Sequence, residues 1–192
     1  MTTVPTSSTD NPGPLPAVLA RWPTLVGLAA LIATSAGGVD AHLAATIIMI
    51  AALCYLAAAA AGRPAAAWLT IPAGVALVTL GMLTALDAVL LLVLAAAALV
   101  IFGLVRRPRS GWPELGLQAA GFAGFTTLGL VAMMVDPVLA AHLAALAAIG
   151  HGVWDLVHHR RNRVVGRSLA EFCAVLDLGL GTVILIVTWL AR

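Results

Sequence analysis

Charged and turn-forming residues divide the sequence into seven apolar runs, at 15–37, 39–61, 64–85, 87–105, 112–134, 137–159 and 168–190. Each run is close to the length of about 20 residues that an α-helix needs to cross the hydrocarbon layer of a membrane. Barrel strands would alternate apolar and polar residues over about ten positions, whereas these runs are apolar on every face. In lipid the backbone N–H and C=O groups find no partner outside the segment, so helices are the structure such runs adopt. The chain is therefore expected to be an all-α integral membrane protein with seven transmembrane helices over 15–192. Composition agrees, because 62% hydrophobic and 9% charged residues leave more apolar surface than a soluble chain of 192 residues could hide.

The opening stretch, MTTVPTSSTDNPGPLP, is rich in Pro, Ser and Thr and lacks a basic region ahead of an apolar core. It reads as a disordered tail over 1–14 and not as a secretory signal. Arg63, the group Arg106, Arg107 and Arg109, and the group Arg160, Arg161, Arg163 and Arg167 follow the second, fourth and sixth runs, while Asp40, Asp87 and Asp136 lie in the alternate loops. By the positive-inside rule the arginine loops are cytoplasmic, as is the N-terminus with Arg21 beside the first run; the C-terminus lies outside. Arginine and alanine are abundant and lysine is absent, which fits a GC-rich bacterial genome and hence a bacterial inner membrane. No soluble domain presents the arginines to nucleic acid, so their expected partners are membrane lipids. Asp40, Asp87 and Asp136 are placed to favour helix N-termini. Cys54 and Cys173 lie inside apolar runs without C-x-x-C spacing and read as small packing residues, not a disulfide.

A weak periodicity runs through the chain. Trp22, Trp68 and Trp112 are 46 and 44 residues apart, and Asp40, Asp87 and Asp136 are 47 and 49 apart. This suggests three tandem helical hairpins plus a seventh helix, although interfacial tryptophan belts and loop charge would impose a similar pattern on any short-looped bundle.

The chemistry concentrates in HGVWDLVHH at 151–159, which holds three of the five histidines. At 100° per residue His151, Asp155 and His158 fall within one stripe, with His159 displaced to its side. His151 lies about 12 Å along the helix from the arginines, inside the hydrocarbon layer, where an ionisable group is costly and calls for a partner. The loop RRNRVVGR is short, so the sixth and seventh helices are expected to be antiparallel neighbours, and Asp177 lies at about the depth of His151. Cys173, Asp177 and Gly181 share a stripe on that last helix, with Gly181 at a close contact. His151, Asp155, His158 and Asp177 are thus candidate ligands of a divalent metal such as Zn or Fe. Asp155, His159 and Glu171 are candidate catalytic residues, the last two as acid or base. Asp155 is also suited to orienting a histidine tautomer, and Ser168 to Glu171 has the form of a helix capping box. The bland alternative is a hydrogen-bonded seam between two helices. His42 and His142 read as interfacial or seam residues, and Trp154 as a belt or packing residue.

HGVWDLVHH resembles the histidine boxes of membrane fatty acid hydroxylases and desaturases, H-x-x-x-H and H-x-x-H-H, with Asp155 where the boxes share a position. Those families carry further boxes that this chain lacks. Seven helices with His, Asp and Ser ligands also resemble the alkaline ceramidase and adiponectin receptor group of zinc amidohydrolases, whose histidine pair on the last helix is missing here. Either resemblance covers about nine residues, and no residue role is transferred from it.

The chain has no phosphate-binding loop, dinucleotide fingerprint or nucleophile elbow. The first expectation is a membrane-embedded, metal-dependent hydrolase or oxygenase acting on a lipid or isoprenoid-like substrate from the cytoplasmic leaflet. The alternative is a small cation or proton transporter or channel using the same cluster, and the third is a partner-binding membrane subunit. The topology is directly testable. Single cysteines introduced by Asn162→Cys and Asp87→Cys should react with an impermeant thiol reagent from opposite sides of the membrane; labelling of both from one side overturns the arginine-based orientation.

Overall fold

In a computed structural model of the chain, which describes residues 20–106 and 111–191, seven α-helices follow one another. They are α1 (Trp22–Ser35), α2 (Ala41–Ala61), α3 (Ala66–Leu83), α4 (Ala88–Arg106), α5 (Trp112–Ala132), α6 (Pro137–Arg161) and α7 (Arg167–Leu190). Six of them, α2 to α7, are long and apolar enough to cross a membrane. The exception is α1, whose 14 residues rise only about 21 Å. The first of the seven expected spans is therefore a short helix, ended by a turn at Gly37 and Gly38, where Gly38 has φ +87° and so takes a conformation that side chains disfavour. The tail expected over 1–14, together with Arg107, Arg109 and Arg192, lies outside the described residues.

The three loop aspartates act at helix starts, as their position suggests. Asp40 accepts from the Leu43 N–H at 2.7 Å, Asp87 from the Leu90 N–H at 2.7 Å, and Asp136 from the Val138 and Leu139 N–H groups at 3.1 Å. Each satisfies donors that a helix leaves open, worth about 1 kcal/mol apiece.

The centre of the bundle is α2. Ten successive residues, Ala51 to Ala60, are buried, and α3, α4, α5 and α6 all pack on it. A helix buried on every side has no reason for a polar face, and its alanines let neighbours approach closely. A Cβ added at Gly129 of α5 would stand 2.9 Å from the Ala45 Cβ. The most extensive packing is between α6 and α7, the antiparallel neighbours that the short loop requires. Gly181 lies at their contact, where a Cβ would meet the Ile149 Cγ1 at 2.7 Å and the Ala145 carbonyl oxygen at 3.0 Å.

The expected hairpin series is only partly realised. Helices α3 and α4 pack together, as do α5 and α6, but α1 packs on α7 instead of on α2. The reason is steric fit: Gly27 of α1 lies against the Phe172 carbonyl oxygen and the Val175 side chain, and Leu31 fits over Gly179. The α6–α7 contact yields a sharp prediction. Gly181→Val should lower stability in detergent by about 1–3 kcal/mol through overpacking, whereas Gly116→Ala, with open space around it, should gain about 0.5–1 kcal/mol. Equal melting temperatures for the two variants would show that the packing is looser than described.

Candidate functional site

Between α6, α7 and α2 the sequence buries three ionisable side chains completely. His151, Asp155 and Asp177 have no exposed surface. The His151 Nδ1–H donates to Asp177 Oδ2 at 2.8 Å, and the same Nδ1 lies 3.3 Å from Asp155 Oδ2. The Asp155 contact follows from i, i+4 spacing on α6, and the Asp177 contact from the matched depths of two antiparallel helices. From α2 the Tyr55 hydroxyl donates to Asp155 Oδ1 at 2.7 Å. The rings of Tyr55 and Phe125 stand edge-on to the imidazole, with centroids 5.7 Å and 4.9 Å away. Cys54 and Cys173 are free and buried, in line with their reading as packing residues.

The group is short of hydrogen bonds. His151 Nε2, Asp155 Oδ2 and Asp177 Oδ1 are buried atoms without a hydrogen-bond partner, a rare and costly condition. Among the described residues, His151, Asp155 and Asp177 form a set whose ligand atoms all lie within 4.8 Å of one another. Ligands held tetrahedrally at about 2.0–2.1 Å from one ion stand about 3.3–3.4 Å apart, which the 3.3 Å separation meets, while the 2.8 Å one is a hydrogen-bond distance that an ion would widen. The three side chains are a group that could hold a metal ion.

The other expected site residues go elsewhere. His158 is buried, but its Nδ1–H donates to the Trp154 carbonyl oxygen at 2.9 Å and its Nε2 faces Gln118 Nε2 at 3.2 Å. It does not join the other three, because seven residues along a helix amount to about 10.5 Å. Its ring lies between Tyr55 and Trp154, at 4.9 Å and 5.0 Å. His159 Nε2 is 4.0 Å from Glu171 Oε2, Arg21 Nη1 is 3.6 Å from Glu171 Oε1, and the Thr24 hydroxyl donates to the same oxygen. Glu171 therefore ties α7 to α1 and α6, and the capping box is not formed. Helix α7 begins two residues before that box would start it, at Arg167, with Gly166 as its cap residue. His42 is exposed, and His142 bonds back to the Val138 carbonyl oxygen; both lie apart from the buried group.

Two participants carried little signal in the sequence. Tyr55 is the only tyrosine of the chain and Gln118 its only glutamine. Each is a polar group in the middle of an otherwise apolar run, which marks it as unusual without naming its partner. Gln118 Nε2 also donates to Glu114 Oε1 at 2.9 Å, and Arg163 donates to Glu114 Oε2 at 3.0 Å.

No protein-family model, curated protein or solved structure matches this chain. The site's energetics can be checked on the molecule itself. Tyr55→Phe keeps the ring and removes the donor that Asp155 Oδ1 has among the described residues, so it should cost about 1–3 kcal/mol, read as a lower melting temperature in detergent. An unchanged melting temperature would mean that Asp155 does not rely on Tyr55.

Proposed function

We propose that this chain is a small membrane carrier for a divalent metal cation, bound by His151, Asp155 and Asp177 and exchanged against protons. One observation carries this reading: three fully buried ionisable groups share one small volume, and each of its two carboxylates keeps an oxygen without a hydrogen-bond partner. Two carboxylates and a neutral imidazole bear a charge of about −2, which a low-dielectric layer tolerates poorly. A single divalent cation neutralises it, and so do two protons. The loaded and the proton-filled states are then equally neutral, which is the condition for carrying either through hydrocarbon. Tyr55 fixes the Asp155 carboxylate, and the edge-on Phe125 ring confines the imidazole.

The lipid-directed enzyme expected from the sequence would use the same ligands, but chemistry on a substrate needs a reacting bond beside the metal. The triad has no exposed surface, an arrangement that suits an occluded ion better than an open active site. His159 and Glu171, the acid and base of that scheme, instead pair near Arg21, where Glu171 lies six residues before Asp177, about 9 Å along α7.

Purified protein should bind Zn²⁺ or Mn²⁺ with release of about two protons per ion. Reconstituted in liposomes, it should take the ion up when the lumen is more acidic than the outside, so that protons leave as the ion enters. Asp155→Asn and Asp177→Asn should each abolish uptake while the bundle stays folded. Wild-type protein that binds neither ion by calorimetry and moves neither across a vesicle membrane would overturn the proposal.

A further inference from the structure

A crevice runs beside the triad on the side facing α5. Its walls include Tyr55, Gln118, Gly121, Phe125, His151 and Trp154, and it is too narrow for a water molecule. Two of its lining side chains are buried with an atom unsatisfied: Gln118 is 1% exposed with Oε1 unpartnered, and His151 is 0% exposed with Nε2 unpartnered. Leaving such atoms bare in a dry crevice is costly, and each would be satisfied by water or a hydrated ion if the crevice widened. The imidazole geometry agrees, since Nδ1 is turned to the carboxylates and Nε2 therefore points away from them.

Beyond Gln118 the polar groups continue outward. The Gln118 amide donates to Glu114, and Glu114 accepts from Arg163, whose side chain is 66% exposed at the arginine-rich end of the bundle. His158 flanks this line at Gln118. Closing the crevice is the Trp154 indole, which lies over Gly121 so closely that a Cβ there would stand 3.3 Å from Cζ2. Trp154 is only half-buried, so its ring has somewhere to go.

We infer that the triad is reached from the arginine-rich end through this seam between α2, α5 and α6, with Gln118 as its polar station and the Trp154 indole on Gly121 as its gate. The inference deepens the carrier reading and rests on it for the identity of the ion, but the route itself is testable without any ion. A second cleft at the same end, lined by Arg21, Thr24, His159, Glu171 and Ala174, is the rival entrance. It lies on the other side of α6.

The experiment uses the full chain in proteoliposomes. A small hydrophilic methanethiosulfonate should modify Gln118→Cys, and Trp154→Ala combined with it should speed the modification; the buried Cys54 and Cys173 of the unsubstituted protein serve as the unreactive reference. A thiol at position 118 that stays unreactive in both backgrounds overturns the route, whatever the wild type binds. Where wild-type protein binds Zn²⁺, Gln118→Leu should slow binding about tenfold, as for a barrier raised by one lost hydrogen bond, with the equilibrium affinity retained. Thr24→Val should leave the rate unchanged; slowing by Thr24→Val and not by Gln118→Leu assigns entry to the rival cleft and overturns the inference. Reactive Gln118→Cys in a protein that binds no metal upholds the route and sinks the carrier reading alone.

Discussion

The contact of His151 with Asp177 sets the terms for the rest of the bundle. A carboxylate at that depth without a partner would cost several kcal/mol, so the register of α6 against α7 is held by the need to bring these two side chains together. Their backbones come close enough because Gly152 meets Leu178 and Gly181 meets Ala145 and Ile149. Asp155, one turn from His151, then needs its own donor, and α2 supplies it through Tyr55. Three helices thus converge on four side chains. The alanine-rich surface of α2 is what lets its single tyrosine reach α6 while four neighbours still pack around it.

Helix α6 distributes its polar residues among all its neighbours. His151 faces α7, Asp155 faces both His151 and α2, His158 turns to Gln118 of α5, and His159 turns to Glu171 of α7. Successive residues differ by 100°, so the adjacent histidines at the arginine-rich end serve two different interfaces. The deep group is thereby sealed by apolar packing, while the shallow one remains partly wet. Such a division suits a centre that holds a charge away from water, with polar residues leading toward it from one end.

Much of this was legible in the sequence. Helical character followed from the apolar runs, and the α6–α7 pairing followed from a loop too short for any other arrangement. The meeting of His151, Asp155 and Asp177 could be read from depth and spacing, since both quantities are local to a helix. His158 could not be placed in the same way, because a helical projection keeps angle and discards the rise that separates it from His151. Tyr55 was invisible for another reason. Its partner is 100 residues away, and hydropathy counts a tyrosine among apolar residues without recording its hydroxyl. The seat of α1 on α7 was equally hidden, because sequence neighbours are presumed to pair, whereas Gly27 and Gly179 matter only once the surfaces meet. Glu171 looked like a local cap because Ser168 stood at the right interval; the helix begins two residues sooner and frees it for α1.

The central position of α2 bears on the order in which the molecule is assembled. Most of what surrounds α2, namely α3 to α6, is synthesised after it, and until then its alanine surface faces lipid. Such a helix is stable alone in the bilayer, since its backbone is satisfied and its one phenol costs little. Helix α6 is different, for it brings an aspartate and a histidine into the membrane, and of the described residues before it Tyr55 donates to that aspartate. Asp177 arrives only with α7. Helices α6 and α7 therefore gain most by entering together as a hairpin, and the buried centre is completed only when α7 is in place.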